Sequence, residues 1–423
     1  MLSNLYRLAT DLGAPFINHY MHRRLKAGRE DASRFAERFG QASQDRPQGR
    51  VIWCHAASVG EAASLLLLIE KLHELYPDLS ILLTTGTVTA ARMIAPRLPS
   101  YAIHQYVPID RVACIESFLE HWDPSLALWM ESELWPNTLL ALRDRNIPVV
   151  LLNARMSEKS FRNWHRVKTF AKELMSCFSL CLAQTESDRS RFVALGATPV
   201  KMIGNLKYAS VPLPYDEKEL AQLRDRTRGR KIWVMASTHH GEEAMAIEAH
   251  RALAVQHRDL LTVIVPRHAV RGDEVARALK DSGLRFVRRS KNEPLMFETE
   301  IYLADTMGEL GLFYALCPIA VMGGSFVQTG GHNPIEPAQL GSAILFGPHM
   351  YNFSEIAREF LLAQAAQQVQ HANEIAFAVE HLLSNQSESA QRAQAARNLA
   401  EQKRGILSEI IFELRPWLME RNR

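Results

Sequence analysis

The chain has 423 residues and no stretch of 18 uninterrupted apolar ones, so hydropathy gives no transmembrane helix. Cysteine is scarce and odd in number: Cys54, Cys114, Cys177, Cys181 and Cys317, with no C-x-x-C pair. Neither a disulfide framework nor a four-ligand zinc site follows, and a reducing, cytosolic compartment fits best. The sequence also lacks H-E-x-x-H and D-x-D, so no metal ligand is assigned and no metal or other cofactor is expected. It lacks a G-x-S-x-G elbow, a G-x-x-x-x-G-K-[ST] loop and a G-x-G-x-x-G turn before a helix, which removes the usual hydrolase, P-loop and dinucleotide readings.

What remains is an ordinary globular composition, 47% hydrophobic and 22% charged, long enough for two or three domains. Net charge is small, 49 Lys+Arg against 46 Asp+Glu, which argues against a nucleic-acid partner. The charge is uneven: residues 1–210 hold 25 basic and 20 acidic residues, the remainder 24 and 26. The first residues form a mildly apolar stretch with Leu2, Leu5, Leu8, Leu12 and Phe16 on one side, followed by Arg23, Arg24, Lys26 and Arg29. The basic residues come after the apolar part, the wrong order for a signal peptide. An amphipathic helix with this basic sequel suits an anionic membrane surface; a terminal helix packed on its own domain is the alternative.

Short apolar or β-branched runs alternate with helical stretches, and the pattern occurs twice. In the first half the expected strands are 51–56, 81–85, 102–107, 126–130, 148–154 and 180–185; in the second they are 231–237, 260–266, 284–289, 300–306, 318–324 and 342–347. Continuous apolar strands separated by helices read as buried parallel sheets. The fold expected is α/β: two Rossmann-like domains with ligands at the carboxyl ends of the strands, in the cleft between domains. The expected boundaries are an N-terminal membrane-associated segment at 1–30, a domain at 31–210, a linker at 211–220 around VPLPYDEKEL, a domain at 221–395, and C-terminal helices at 396–423 that pack back on the first domain.

Five glycines crowd MGGSFVQTGGHNPIEPAQLG (322–341), with Asn333 as an expected N-cap and Pro334 in the first helical turn. Exposed backbone N–H groups there suit a phosphate, although tight structural turns would also use the glycines. VIVPRH places Arg267 at a strand end, and LADTMGEL places Glu309 where it could hold a ribose or base. In the first half, Ser58 and Glu61 have capping-box spacing, yet a carboxylate at a strand-to-helix turn also suits a general base. Glu131 and Glu133 stand at a comparable strand end, one a candidate helix cap, and Lys207 lies where the linker begins.

HAASVGE (55–61), ESELWPN (131–137), NAR (153–155), GNLKY (204–208), STHHGEE (237–243), VPRH (265–268), DTMGEL (305–310) and GGSFVQTGGHNPIEPA (323–338) together resemble the Kdo transferases. These are bacterial 3-deoxy-D-manno-octulosonic acid transferases of the lipid A pathway. The resemblance runs in order along almost the whole chain. It implies a GT-B glycosyltransferase that moves Kdo from CMP-Kdo, a co-substrate, to a primary hydroxyl of a lipid A precursor, with inversion and without metal. It implies Glu61 as general base, Glu131 and Lys207 as stabilisers of the transition state, and CMP contacts at Pro266, Arg267, Met307, Gly308, Glu309, Asn333, Pro334, Ile335 and Glu336. It also implies the cytoplasmic face of the bacterial inner membrane, reached here by a monotopic or N-terminal attachment. One departure is Ala209, which stands where the family often has an acid. The rivals are another sugar-nucleotide enzyme of the same fold, such as a UDP-sugar transferase or epimerase, and a non-catalytic, membrane-associated nucleotide sensor.

Overall fold

The computed structural model describes residues 2–419. They divide into two compact units: the first runs to Ala209 and resumes at Gly405, and the second is Ser210–Arg404.

The first unit is built on seven strands: β1 Val51–Ala56, β2 Ser80–Thr85, β3 Ala102–Tyr106, β4 Leu126–Met130, β5 Val149–Ala154, β6 Leu180–Ala183 and β7 Val200–Met202. They pair in parallel in the order β3-β2-β1-β4-β5-β6-β7, with Cys54 level with Leu83 on one side and Leu128 on the other. Every residue of β1, β4, β5 and β6 is buried, as helices on both faces require. Trp53 anchors this core against Phe118 (4.6 Å between ring centroids) and Trp129 (5.0 Å), while its Nε1 donates to Thr84 Oγ1 at 2.8 Å. The strand order reverses between β1 and β4, and a ligand crevice forms at such a reversal.

The second unit repeats the plan with β8 Ile232–Thr238, β9 Leu261–Pro266, β10 Phe286–Arg288, β11 Ile301–Leu303, β12 Ile319–Met322, β13 Ala343–Phe346 and β14 Ala366–Gln368. Its order is β10-β11-β9-β8-β12-β13-β14, again all parallel, with the reversal between β8 and β12. Trp233, Met235, Ile264, Val321 and Leu345 form its centre.

Twelve strands stand where apolar runs place them, two of them trimmed to three residues each at β10 and β11. The strands VKM and AQQ, each at one edge of its sheet, lack an apolar run because most of their residues stay outside the core. The expected linker is partly helical: Glu217–Arg226 begins at 217, capped by Asp216. The expected C-terminal segment divides differently as well. The Gln386–Gln402 helix stays with the second unit, and the chain returns to the first at Gly405. From there the Ile406–Leu418 helix buries Ile406, Ile410, Ile411 and Leu414, and Arg50 donates to the carbonyls of Trp417 (2.6 Å) and Leu418 (2.9 Å). Residues 420–423 of that segment, and Met1 of the first, lie outside the described residues.

Two helices, Leu2–Leu12 and Ala14–Lys26, open the chain, and no described helix is long and apolar enough to cross a membrane. The first sits on its unit by its polar side. Ser3 is buried, Tyr6 donates to Asp110 Oδ2 at 3.1 Å, Thr10 Oγ1 accepts from Asn137 Nδ2 at 3.0 Å, and Arg7 pairs with Asp144 at 2.9 Å. Leu5, Leu8, Leu12 and Phe16 face outward, 54–80% exposed. This inverts the usual arrangement, in which the apolar face turns to the core.

Candidate active site

Three adjacent strands of the first unit end in charged groups. After β1 the chain turns into the Val59–Leu75 helix, capped by Ser58, whose Oγ accepts from Glu61 N at 3.3 Å. The Glu61 carboxylate closes the box: Oε2 accepts from Ala57 N at 2.9 Å and Oε1 from Ser58 Oγ at 2.7 Å. Glu61 is buried, and this pair of bonds fixes where its carboxylate points. A carboxylate offers about four lone-pair directions, so two stay open for a hydroxyl proton. Capping and base roles are compatible in one residue.

Glu131 follows β4 directly and is held with φ +56°, a left-handed backbone that costs a non-glycine residue about 1–2 kcal/mol. Such strain concentrates where a side chain must be aimed. Burial is the largest influence on its carboxyl and raises its pKa; Glu61 adds to this, while Lys207 and Arg155 oppose it. Burial lowers the Lys207 pKa, with Glu131 and Glu61 pulling back. These mutual influences bring Glu61, Glu131, Lys207 and Arg155 into one electrostatic neighbourhood, as the sequence groups the first three. Glu133 belongs to it as well, its pKa raised by burial and by Glu61, with Oε2 accepting from Trp135 Nε1 at 2.7 Å.

Neither Glu131 nor Glu133 caps the following helix, which corrects one expectation. The N–H groups at the start of Pro136–Asp144 are met by Asp110, which accepts from Asn137 N at 3.1 Å and Thr138 N at 2.8 Å. A cap supplied from 27 residues upstream leaves no local spacing to read.

Lys207 sits in a short 3₁₀ turn, Leu206–Ala209, hung from a relay of amides. Asn153, with φ +53° at the end of β5, accepts from Leu206 N through Oδ1 at 2.9 Å. Gln184 donates to Asn153 O at 3.0 Å and accepts from Asn205 Nδ2 at 3.1 Å, and Asn205 Oδ1 accepts from Lys207 N at 3.0 Å. Sequence reasoning assigned no role to these three residues, although Asn153 and Asn205 stand inside the quoted NAR and GNLKY segments.

In the second unit the expected nucleotide contacts follow β9, β11 and β12. Pro266 closes β9, and Arg267 next to it is exposed, with no partner for its guanidinium among the described residues. Glu309 is held by Arg289 at 3.1 and 2.6 Å, and it also accepts from Thr306. Bonding to Arg289 is the main reason its carboxyl lies below the usual range. Before it stand Met307, exposed, and Gly308, whose φ of +84° makes the turn. The helix after the glycine segment begins at Ile335, not at Pro334, and ends by Leu340. Pro334 holds the cap position and Asn333 Oδ1 accepts from Ile335 N at 3.2 Å. A six-residue helix has little macrodipole to offer a phosphate. Ile335 is fully buried, which leaves only its backbone for a ligand, and Glu336 lies half-buried beside it.

Glu242 explains how the glycine segment keeps its shape. Wholly buried, it accepts from His239 N at 2.8 Å, Gly324 N at 2.7 Å and Phe326 N at 3.0 Å, tying the end of β8 to the loop after β12. No group of three or more His, Cys, Asp or Glu among the described residues is arranged to hold a metal ion.

Comparison with known proteins decides the family. Residues 33–210 match the model of 3-Deoxy-D-manno-octulosonic-acid transferase (kdotransferase). Across 97% of its length the chain is 37% identical to a probable mitochondrial 3-deoxy-D-manno-octulosonic acid transferase of Arabidopsis thaliana, covering 94% of that protein. The chain belongs to the Kdo transferase family. This is a family of glycosyltransferases, and a second member, the 3-deoxy-D-manno-octulosonic acid transferase of Haemophilus influenzae, is 37% identical over 92% of both chains. A UDP-GlcNAc 2-epimerase from Neisseria meningitidis shares the fold alone, at 16% identity and a TM-score of 0.56, over 86% of this chain and 99% of that one. This chain thus has the two-unit, GT-B type of α/β architecture expected from the sequence.

Proposed function

We propose that this enzyme transfers Kdo from CMP-Kdo to a primary hydroxyl of a lipid A precursor, inverting the anomeric carbon and using no metal. The observation that carries the reading is the convergence of Glu61, Glu131 and Lys207 on the crevice end of the first sheet. An alcohol needs a base to become a good nucleophile, and an inverting displacement needs only one, on the acceptor side. Glu61 takes the hydroxyl proton while the oxygen attacks the anomeric carbon and the bond to the CMP phosphate breaks. Lys207 and Glu131 meet the charges that develop on the way.

The leaving group is a phosphate monoester and departs as an anion. Arg267, exposed and unpaired, supports its stabilisation without a divalent ion, and Glu309, held by Arg289, offers its remaining lone pairs to a ribose. Pro266, Met307, Gly308 and the Asn333–Glu336 segment complete the proposed CMP site.

The acceptor is a phosphorylated lipid, and the first unit has surfaces suited to it. Its outward Leu5, Leu8 and Leu12, on a helix gripped by its polar face, and Phe16 on the next helix form an apolar stripe, as an in-plane membrane attachment requires. The attachment proposed is to the cytoplasmic face of the inner membrane. Exposed Lys159, Arg162 and Arg166 on the Glu158–Arg166 helix, which follows Arg155, suit the acceptor's phosphates. Two basic residues that follow the N-terminal helices, Arg34 and Arg38, are spent inside the protein. Arg38 is buried against Glu30, Val107 O and Gly86 O, and Arg34 binds Glu37 and His104 O. Arg24 pairs with Glu30, which leaves Arg23, Lys26 and Arg29 exposed.

Calorimetric titration with CMP and UMP tests the donor half. Clear preference for CMP supports the reading, and a preference for the uridine nucleotide would return the chain to the UDP-sugar rivals.

A further inference from the structure

The second unit carries a group of imidazoles to which the transfer chemistry gives no task. His239 leaves the end of β8, and His332 lies in the glycine segment after β12, at the point where the strand order reverses. Their Nε2 atoms are 3.0 Å apart and their rings nearly parallel, with centroids 5.2 Å apart and 12° between planes. Two ring nitrogens at that distance share one hydrogen, so one ring donates and the other accepts. Gly324 makes room for the pair, because a Cβ there would lie 3.0 Å from His332 Cδ2 and Nε2.

The charged groups around the pair come from three elements. The segment after β9 supplies Arg267, His268 and Arg271, with His268 edge-on to His239 at 6.5 Å. The Glu242–Ala254 helix supplies Glu242 and Glu243, and both are engaged. Glu242 is held by three backbone N–H groups, and Glu243 by Thr238 and by Arg271 at 2.7 and 3.1 Å. The glycine segment adds the Thr329 hydroxyl, itself donating to Gly324 O, and carries Glu336 four residues beyond His332. The cations act on the pair more strongly than Glu243 does, so the field there is positive. Burial first, then His268, Arg267 and Arg271, hold His239 below the ordinary imidazole value, with Glu243 acting the other way. Burial and Arg267 push His332 down to about 3. An incoming dianion reverses the sign of that field, and the less buried ring, His239, is the one placed to gain a proton.

We infer that the His239–His332 pair is a proton-coupled phosphate-binding element: as the phosphate monoester of the nucleotide binds, the pair takes one proton from solvent. His239 becomes the imidazolium, its Nε2–H donates to neutral His332 Nε2, and its charge joins Arg267 against the phosphate. No covalent bond is made or broken. The inference rests on the reading of the second unit as the CMP site.

Titrating the whole protein with CMP near pH 7, in two buffers of different ionisation heat, counts the protons exchanged on binding. Net uptake is expected, with CMP affinity weakening by up to about tenfold per pH unit above neutrality. In His239→Asn and His332→Asn the uptake vanishes and affinity below neutral pH falls about tenfold. Cytidine, which lacks the phosphate, should bind without uptake. CMP binding by the unaltered protein with no exchange, or with proton release as when a cationic site strips the phosphate itself, overturns the inference while the donor reading stands. Uptake with cytidine overturns it too, since the proton would then belong to another group. Failure of CMP to bind, or UMP binding as tightly, removes the donor reading and this inference together.

Discussion

Glu61 performs two tasks that one substitution can separate. Its carboxylate accepts from Ala57 N and Ser58 Oγ, which caps a helix, and it is the proposed base. Glu61→Gln keeps an oxygen for the Ala57 N–H but removes the base. Turnover should fall by about 10²–10⁴-fold, with a change in unfolding free energy of no more than about 1 kcal/mol. Measuring both on one preparation decides the matter; normal turnover with lost stability would make Glu61 a cap alone. Asn153 is the corresponding test for Lys207. Asn153→Ala leaves Leu206 N–H without its acceptor and puts alanine at φ +53°, so we expect a loss of about 2–3 kcal/mol in denaturant unfolding. Turnover should drop with it as the 3₁₀ turn that carries Lys207 loosens. At this scale the sequence draws attention to Glu61, Glu131, Lys207 and Arg267 by residue type and resemblance, and their roles are proposals. It was not legible for Asn153, Gln184 and Glu242, whose partners lie tens of residues away and leave no spacing to read.

The elements repeat one device: as a strand ends, its last-but-one residue or the residue after it turns left-handed. Glu131 after β4, Asn153 at the end of β5 and Ser237 at the end of β8 all have positive φ, at the crevice ends of their sheets. The central strands were readable because a parallel strand covered on both faces is a continuous apolar run. The edge strands β7 and β14 were not, since β7 has no buried residue and β14 only Ala366. The Leu2–Leu12 helix has a clear apolar stripe in its sequence, but the pattern cannot tell whether the stripe faces core or solvent. The bonds of Tyr6, Arg7 and Thr10 settle that it faces outward. Replacing Leu5, Leu12 and Phe16 together by glutamate should therefore leave the melting temperature nearly unchanged. It should weaken binding to anionic vesicles by at least about tenfold in a sedimentation assay. A large loss of melting temperature would mean that the stripe packs on protein.

For the whole molecule, the uneven charge now has an address. The basic half is the unit that bears the apolar stripe and the proposed base, and the near-neutral half bears the proposed nucleotide site. Both units also bury neutral histidines against threonine hydroxyls: His55 on Thr84, His104 on Thr85 and His250 on Thr262, each at 2.9 Å. Burial pushes His55 and His104 down to about 3 and His250 to about 4, from an ordinary value of 6.5. The unfolded chain therefore binds more protons below about pH 6.5, so this part of the stability is complete above that pH and is lost as pH falls towards 4–3. Urea midpoints should drop steadily from pH 7 to pH 5; a flat profile would show that these rings titrate freely in the fold.

The central claim is the transfer itself, and product mass tests it most directly. The protein is incubated with CMP-Kdo and a tetra-acylated lipid A precursor, and the lipid is followed by mass spectrometry. The account predicts lipid that has gained Kdo, one CMP released for each Kdo added, and almost no product from Glu61→Gln. Lipid of unchanged mass with intact CMP-Kdo, or equal product from Glu61→Gln, would contradict it.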